Sequence, residues 1–189
     1  MTSTNTRTAV LADDRPGPAQ AADPTAEVPR PCAIIRACAI TSAADHRHPL
    51  LAAVPALAAQ HRQRAEAHQL TCDPLADDHA LAIAARVIAA ADAGRTVLID
   101  RIDQWACSAL PDSRHAAVHT ESFGRLVDRM VEAWTLWYLV KDREGPANAD
   151  LASALLHHVS ELSIGYDDLV DDLCRGRRRL PRHQNPLAA

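Results

Sequence analysis

Apolar residues recur at helical spacing through residues 123–140, the best-patterned stretch of the chain. Five large apolar residues fall at i, i+4, i+7, i+11 and i+14, which is one face of a 3.6-residue helix. This face should be buried, because large aromatic side chains dominate the energetics of a core. Thr120 is the predicted N-cap, since its hydroxyl can accept a hydrogen bond from an amide of the first turn. The face consists of Phe123, Val127, Met130, Trp134 and Trp137.

A first helix is predicted from about Pro49 to Leu70. Pro55 is close enough to its start to be tolerated. Four residues of this helix share one stripe: Leu50, Val54, Leu57 and His61.

A second helix is predicted to begin near Pro74 and to continue to Leu110. The segment 92–94, Asp-Ala-Gly, is a candidate break or kink within it. Residues at helical spacing predict its buried face: Leu75, Ile83, Val87, Ala90, Val97 or Leu98, Ile102, Trp105 and Ala109.

The last helix follows a break at residues 141–146, and Asn148 or Asp150 is predicted to cap it. Gly176 suits the position just after its end. The arginines around Gly176 suit the negative end of the helix, and a patch for an anionic partner is the second interpretation. The predicted buried face is Leu151, Leu155, Leu162, Leu169 and Leu173, with His158 in register.

The opposite side of the central helix is polar. Gly124 lies near this side, and a glycine one turn into a helix costs about 0.5–1 kcal/mol relative to alanine. Close approach of another backbone or of a ligand would explain that cost. The simpler interpretation is a solvated face in which Arg125 pairs with Glu121 and Asp128. The polar stripe is Glu121, Arg125, Asp128 and Glu132, preceded by His119 and flanked by Arg129.

Three blocks of the chain carry a family resemblance. The central block is His119-Thr120-Glu121, then Gly124, then Asp128-Arg129. The other two are 99–105 followed by Leu-Pro at 110–111, and 166–169 leading to 176–181. In this order the blocks resemble the uncharacterised bacterial family called domain of unknown function 4254, over roughly residues 49–185. The resemblance implies an all-helical bacterial protein of unassigned activity with these polar residues as its signature, and it supplies no reaction.

Composition favours packed helices over a sheet. Hydrophobic residues make up 48% of the chain but aromatic residues only 3%, whereas strands favour β-branched and aromatic residues. We therefore predict an all-α, up-and-down bundle of about four long helices at residues 46–182. A disordered or loosely packed tail is expected at 1–45 and a C-terminal tail at 183–189. Within the first tail, the apolar run 32–40 is either a strand or a segment that docks on the bundle.

Several classes of partner are not expected. The formal net charge of −4 gives no basic excess for nucleic acid. No apolar run reaches the length of a signal peptide or membrane span, so we predict a cytoplasmic protein without a membrane partner. The five cysteines are odd in number and irregularly spaced, which favours reduced thiols over disulfides or a zinc site. No cofactor or metal is predicted, and only His119, Glu121, His158 and Glu161 form a combination worth testing for a metal.

Two functions fit these patterns. The first is a small-molecule binding or acid/base site at the start of the central helix. A self-associating face, and with it a homo-oligomer such as a homodimer, is also expected. The catalytic groups of this first site would be His119, Glu121 and Asp128, and its ligand-binding residues Arg125, Arg129 and Gly124. The second is a non-catalytic interaction or scaffold protein, in which the polar motif fixes helix contacts. A cleft with perturbed carboxylates would favour the first function, and saturated salt bridges with a flat apolar patch would favour the second.

Overall fold

A computed structural model describes residues 28–39 and 47–181, and in this part of the chain nearly all regular structure is helical. The all-α prediction is confirmed. Two short strands of two residues each accompany the helices. The elements are α1 (Pro31–Cys38), α2 (Pro49–Thr71), α3 (Asp78–Ala109), β1 (Ala117–Val118), α4 (Phe123–Val140), α5 (Pro146–Cys174) and β2 (Arg178–Arg179).

The long helices alternate in direction, as an up-and-down bundle requires. His48, just before α2, contacts the ring of Trp105 near the end of α3 at 4.8 Å between centroids. Gln60, further along α2, lies over Gly94, nearer the start of α3. The two helices are therefore antiparallel. The five-residue connection 141–145 then returns the chain along α4 as α5, since short loops join antiparallel neighbours. None of the described helices has the length and apolar character that crossing a membrane requires.

The N-terminal helix α1 belongs to the core. Ile34 is fully buried, and Ala37 packs in the same hydrophobic cluster as residues of α2, α4 and α5. The hydroxyl of the buried Tyr166 donates a 2.8 Å hydrogen bond to the carbonyl oxygen of Pro29. Of the two possibilities left open for the run 32–40, the structure shows the docked segment, as a helix over 31–38. The predicted bundle boundary at residue 46 leaves this helix outside, although its side chains complete the core.

Two predictions about the start of α3 are wrong. The helix begins at Asp78, not near Pro74, because Asp77 caps it by accepting a 2.7 Å hydrogen bond from the amide of Ala80. Leu75 therefore lies in the preceding turn, where it is 91% exposed. The segment 92–94 does not break the helix, which is continuous for 32 residues.

The buried face of α3 also differs from the prediction. Ile83, Val87 and Val97 are exposed, whereas the small residues Ala84 and Ala91 are buried. Small side chains allow helices to approach closely, and α2 packs against this alanine-rich face. Large apolar residues therefore mark the wrong side of the first part of this helix, whereas Ile102 is buried and Leu98 and Trp105 pack against the core as predicted. The buried residues are Ala84, Ala91, Ile102 and Ala106.

The last helix is buried over its second half only. It begins at Pro146 with Gly145 as N-cap, so neither Asn148 nor Asp150 caps it. Leu151 is exposed, contrary to the prediction. The predicted role of Gly176 is confirmed, because this residue follows the C-cap with a φ of +68°. The buried residues of the helix are Val159, Leu162, Tyr166, Leu169, Val170 and Leu173.

After α5 the chain turns back across the start of α4. Strand β2 pairs in parallel with β1, with Ala117 opposite Arg178 and Val118 opposite Arg179. The side chain of Arg177 binds both Asp171 and Asp172. These aspartates neutralise part of the arginine-rich end.

The anchor of the N-terminal segment gives a first prediction. Tyr166→Phe should destabilise the protein by about 1–2 kcal/mol, because it removes a buried hydrogen bond and leaves the Pro29 carbonyl without its partner. Tyr138→Phe, on the exposed side of α4, is the matched control and should change stability by less than about 0.5 kcal/mol. Urea unfolding monitored by circular dichroism measures both. Equal stabilities for the two variants would contradict this anchoring role.

Candidate functional site

A buried carboxylate joins three helices at the centre of the bundle. Asp128 on α4 is 4% exposed. Its Oδ1 lies 2.8 Å from Nε2 of His61 on α2, and Arg95 on α3 binds both carboxylate oxygens, through Nε at 3.2 Å and Nη2 at 2.6 Å. Two-point contact of this kind between arginine and carboxylate is strong and directional. The three side chains therefore fix the positions of α2, α3 and α4 relative to one another.

A second set of charges surrounds this centre. Arg95 also donates to Asp92 at 2.9 Å. Asp92 lies 3.2 Å from Nε of Arg64, whose Nη1 lies 3.4 Å from Glu132. The network thus runs from the buried interior to the partly exposed surface between α2 and α4.

The charges determine which groups are ionised. Burial by itself would raise the pKa of Asp128, but the hydrogen bonds from His61 and Arg95 outweigh it and hold the pKa below its usual value. The hydrogen bond to Asp128 is the main reason that the pKa of Arg95 is raised. Asp128 is therefore a carboxylate paired with a guanidinium at neutral pH. Because a carboxylate only accepts hydrogen bonds, Nε2 of His61 must carry the proton that Asp128 binds.

A cleft opens beside this network, between α2 and α4. Its volume is about 310 Å³. His61 lies at its base, with a side chain only 1% exposed, and Nδ1 of its ring is 3.9 Å from Oε1 of Glu132. The cleft is lined by His61, Arg64, Ala65, His68, Gln69, Cys72, Glu132 and Leu136.

The start of α4 lies one turn away from Asp128 and has a different structure. Ser122, not Thr120, is the N-cap, and its Oγ accepts a 3.1 Å hydrogen bond from the amide of Arg125. Before it, Nδ1 of His119 lies 2.7 Å from the carbonyl oxygen of Glu121. This local turn keeps residues 119–121 out of the helix. The backbone amide of His119 also donates to the carbonyl of Arg179 at 2.8 Å, next to the β1–β2 pairing.

Gly124 permits a close approach of α3. A β-carbon at this position would lie 2.5 Å from the carbonyl oxygen of Ile99 and 3.0 Å from Oδ1 of Asp103. The amide of Gly124 donates to the same Oδ1 at 2.6 Å. Of the two explanations offered for this glycine, the structure shows the neighbouring backbone.

Asp103 accepts that hydrogen bond in a partly buried position. Burial raises its pKa, and the amide of Gly124 and the hydroxyl of Ser122 oppose the increase. Its other oxygen, Oδ2, is buried without a hydrogen-bond partner among the described residues. Asp103 thus fixes the start of α4 although its ionised form is disfavoured there.

The six predicted site residues do not form one group. Asp128 lies in the buried network, and Gly124 faces α3 on the same side of α4. Glu121 pairs with Arg129 at 3.0 Å near the surface, and Arg125 is exposed. The predicted pairing of Arg125 with Glu121 and Asp128 is wrong, because Asp128 binds partners on two other helices. The remaining predicted residue, His119, is held in the turn before α4.

Sequence reasoning missed the partners of Asp128. His61 gave a signal, since it continued the apolar stripe of α2 and was therefore expected to face inward. Arg95 and Asp92 gave none, because they stand 33 and 36 residues before Asp128 and no local spacing connects them to it.

The three sequence blocks that suggested a family meet in this region. Asp103 of one block holds Gly124 of the central block. Residues 178–179 of the third block pair with β1, directly before His119. The family model described as Protein of unknown function (DUF4254) matches residues 52–181. The chain belongs to this family.

The residues that match the DUF4254 family model run from within α2 to just beyond β2, and so cover most of the bundle. No curated protein and no solved structure matches the chain. Among the described residues, no group of three or more His, Cys, Asp or Glu side chains is placed to hold a metal ion.

Removing the charge of Asp128 should destabilise the fold. Asp128→Asn leaves the partly buried Arg95 with only Asp92 as its carboxylate partner, and breaking a buried ion pair typically costs about 3–5 kcal/mol. Glu121→Gln is the control, since its pair with Arg129 is partly exposed and should contribute about 0–1 kcal/mol. Chemical unfolding at pH 7 measures both, and a loss below about 1 kcal/mol for Asp128→Asn would contradict the pairing.

The same carboxylate predicts how stability depends on pH. Because the pKa of Asp128 is lowered in the folded state, its contribution is present above the unfolded value of about 3.9. The contribution is lost as the pH falls through the folded value. Asp128→Asn should therefore lose less stability than wild type between about pH 5 and pH 2. Urea unfolding at each pH measures this. If the free energy of unfolding falls by the same amount for the two proteins in that range, the assignment is contradicted.

Gly124 gives a fourth prediction. Gly124→Ala should destabilise by about 1–3 kcal/mol, because the new methyl group overlaps the Ile99 carbonyl. Gly165→Ala on α5 is the control, since nothing lies within 4 Å of its β-carbon position. That change should stabilise by about 0.5–1 kcal/mol through helix propensity. Thermal and urea unfolding distinguish the two, and a gain in both variants would exclude the close packing at Gly124.

Proposed function

We propose that the protein binds a small polar molecule in the α2–α4 cleft, and that His61 exchanges a proton with it. The observation that supports this most is the placement of the imidazole ring. Its Nε2 is bound to the buried Asp128, whereas its Nδ1 lies 3.9 Å from Oε1 of Glu132, which lines the cleft together with His61. A histidine held through one nitrogen by a carboxylate, with the other nitrogen toward a cleft, is the usual arrangement of a general acid/base.

The tautomer of His61 determines what the ligand must supply. Asp128 takes the Nε2 proton, so Nδ1 of the neutral ring is an acceptor. Glu132, whose Oε1 is 3.9 Å away, is also an acceptor, and this separation exceeds a hydrogen bond. A ligand amine or ammonium group between them would donate to both, and a hydroxyl would donate its one proton to Nδ1. Its proton would move to Nδ1 and leave the donor atom as the stronger nucleophile.

Arg64 gives the cleft a second element of recognition. Its guanidinium is oriented by Asp92 and Glu132 and is about 40% exposed. Arginine in this position favours a carboxylate or phosphate. His68 lines the same cleft. A volume of about 310 Å³ is at the small end of ligand pockets. The ligand class that fits is therefore a small hydroxy acid, amino acid or phosphate monoester.

The proposed site is the α2–α4 cleft and not the start of α4, where the sequence predicted it. Of the predicted catalytic residues, only Asp128 contacts the cleft residues, and it acts as the group that positions His61. Arg64 takes the anion-holding role expected of Arg125 or Arg129. His119 and Glu121 are engaged in the turn before α4 and in the pair with Arg129.

Ligand-induced stabilisation tests the proposal. The probes are glycolate, serine, phosphoserine and inorganic phosphate, each titrated against the melting temperature. A probe that binds the folded state should stabilise wild type by about 2.7 kcal/mol at a hundredfold excess over its Kd. We expect the organic probes to stabilise the protein and His61→Gln to abolish the effect. His79→Gln, an exposed histidine on α3, is the control and should retain it.

A second variant keeps the test decisive if His61→Gln folds poorly. Arg64→Gln changes a partly exposed side chain and should weaken binding of anionic probes without unfolding the protein. If none of the probes stabilises wild type more than Arg64→Gln, the cleft does not bind this ligand class. A long-range ¹H–¹⁵N spectrum of the histidines near pH 8 should also show the proton of His61 on Nε2, and a proton on Nδ1 would contradict the acid/base role.

A further inference from the structure

Three carboxylates share two guanidinium groups in the network beside the cleft. Arg95 binds Asp128 and Asp92. Arg64 lies near Asp92 and Glu132. The imidazole that contacts two of these carboxylates is neutral in the proposed site and adds no charge. The network therefore carries one more negative charge than it has positive charges.

The unbalanced charge lies at Glu132, where the network meets the cleft. Arg95 is 2.6 Å from Asp128 and 2.9 Å from Asp92. The guanidinium contact of Glu132, to Nη1 of Arg64, is longer, at 3.4 Å. The side chain of Glu132 is 32% exposed and lines the cleft. A positive charge bound in the cleft would therefore complete the pairing of this carboxylate.

A second acceptor lies close to the same carboxylate. The side chain of His61 is only 1% exposed, and its Nδ1 is 3.9 Å from Oε1 of Glu132. Two acceptors at this separation can both lie about 2.9 Å from one nitrogen atom. We propose that an ammonium group of the ligand binds between them, so that the cleft selects amino compounds over hydroxy acids of the same size. This ligand class rests on the proposed function of the cleft and narrows it.

An ammonium group fits these two acceptors better than a hydroxyl group does. A hydroxyl has one proton and satisfies one acceptor, whereas an ammonium has three protons. Its hydrogen bond to a carboxylate is also strengthened by charge. A hydroxy acid would add a negative charge to a network that already has a surplus. A zwitterionic amino acid adds no net charge, and it keeps a carboxylate for Arg64.

His68 supplies a further acceptor among the residues that line the cleft. The hydroxyl of Thr71 donates a 2.8 Å hydrogen bond to the carbonyl oxygen of His68. Because this hydroxyl has only one proton, Nδ1 of His68, 2.9 Å from the same oxygen atom, must be the donor in their contact. In the neutral ring Nε2 is then an acceptor. Both histidines of the cleft therefore offer an acceptor nitrogen, as an amino compound requires.

Isothermal titration calorimetry at pH 8 with serine and glycerate tests this, because the two compounds differ only in an ammonium or a hydroxyl group at one carbon. Wild type should bind serine about tenfold or more tightly than glycerate. Glu132→Gln removes the charge at nearly constant volume and should abolish this preference. Glu66→Gln, at an exposed position of α2 outside the cleft, is the control and should retain it.

The possible failures are distinguishable. Equal binding of the two compounds to wild type, or an unchanged preference in Glu132→Gln, would overturn the ammonium site while leaving the cleft as a ligand site. Absence of binding by both compounds would overturn the ammonium site, and the proposed function with it if phosphoserine and phosphate also fail to bind.

The stability of Glu132→Gln gives a test without ligand. Because this charge is in surplus in the free protein, the melting temperature of the variant should equal or exceed that of wild type. Circular dichroism measures it and shows that the variant is folded. A fall as large as that of Asp128→Asn would show that the charge of Glu132 is balanced within the protein, and would overturn the ammonium site.

Discussion

The buried charge of Asp128 is the constraint on which the arrangement of the bundle depends. Taking a carboxylate out of water costs several kcal/mol unless it is paired and hydrogen-bonded. Here the pairing groups come from two other helices, Arg95 from α3 and His61 from α2. Sliding either helix by one turn, about 5.4 Å, would separate these atoms and leave a charge unpaired. Apolar packing alone tolerates such shifts better, so the polar contact specifies the register.

The second fixed point is one helical turn earlier on the same side of α4. Gly124 lets the backbone of α3 approach, and Asp103 accepts a hydrogen bond from the backbone amide of Gly124. Gly124 and Asp128 are four residues apart, so together they define both the distance and the register of α3 against α4. Phe123 and Met130 are meanwhile buried in the core. One side of α4 thus packs in the apolar core, and the other side fixes the position of α3 through polar contacts.

The sequence predicted only in part which helix faces pack in the core and which make polar contacts. The spacing of large apolar residues located α4 and α2, because burial favours one face of a helix. It misjudged the first part of α3, where the buried residues are alanines that a search for large apolar residues overlooks, although Ile102 further along is buried as predicted. The polar stripe contained Asp128, but the pairing rules for i+3 and i+4 neighbours offered Arg125 as its partner. The actual partners come from other helices, and only the packed bundle brings them together.

Structural and chemical roles of the Asp128 network follow from the same bonds. Asp128 accepts three hydrogen bonds, one from His61 and two from Arg95, and a carboxylate has room for about four. It therefore has little capacity to bind a ligand directly. What it can do is fix the ring of His61, whose Nδ1 is not used by that bond. If the network served only to hold the helices together, Nδ1 of His61 would not need to lie near Glu132, which lines the cleft together with Arg64. For this reason the network supports an acid/base role at His61 as well as the register of the bundle.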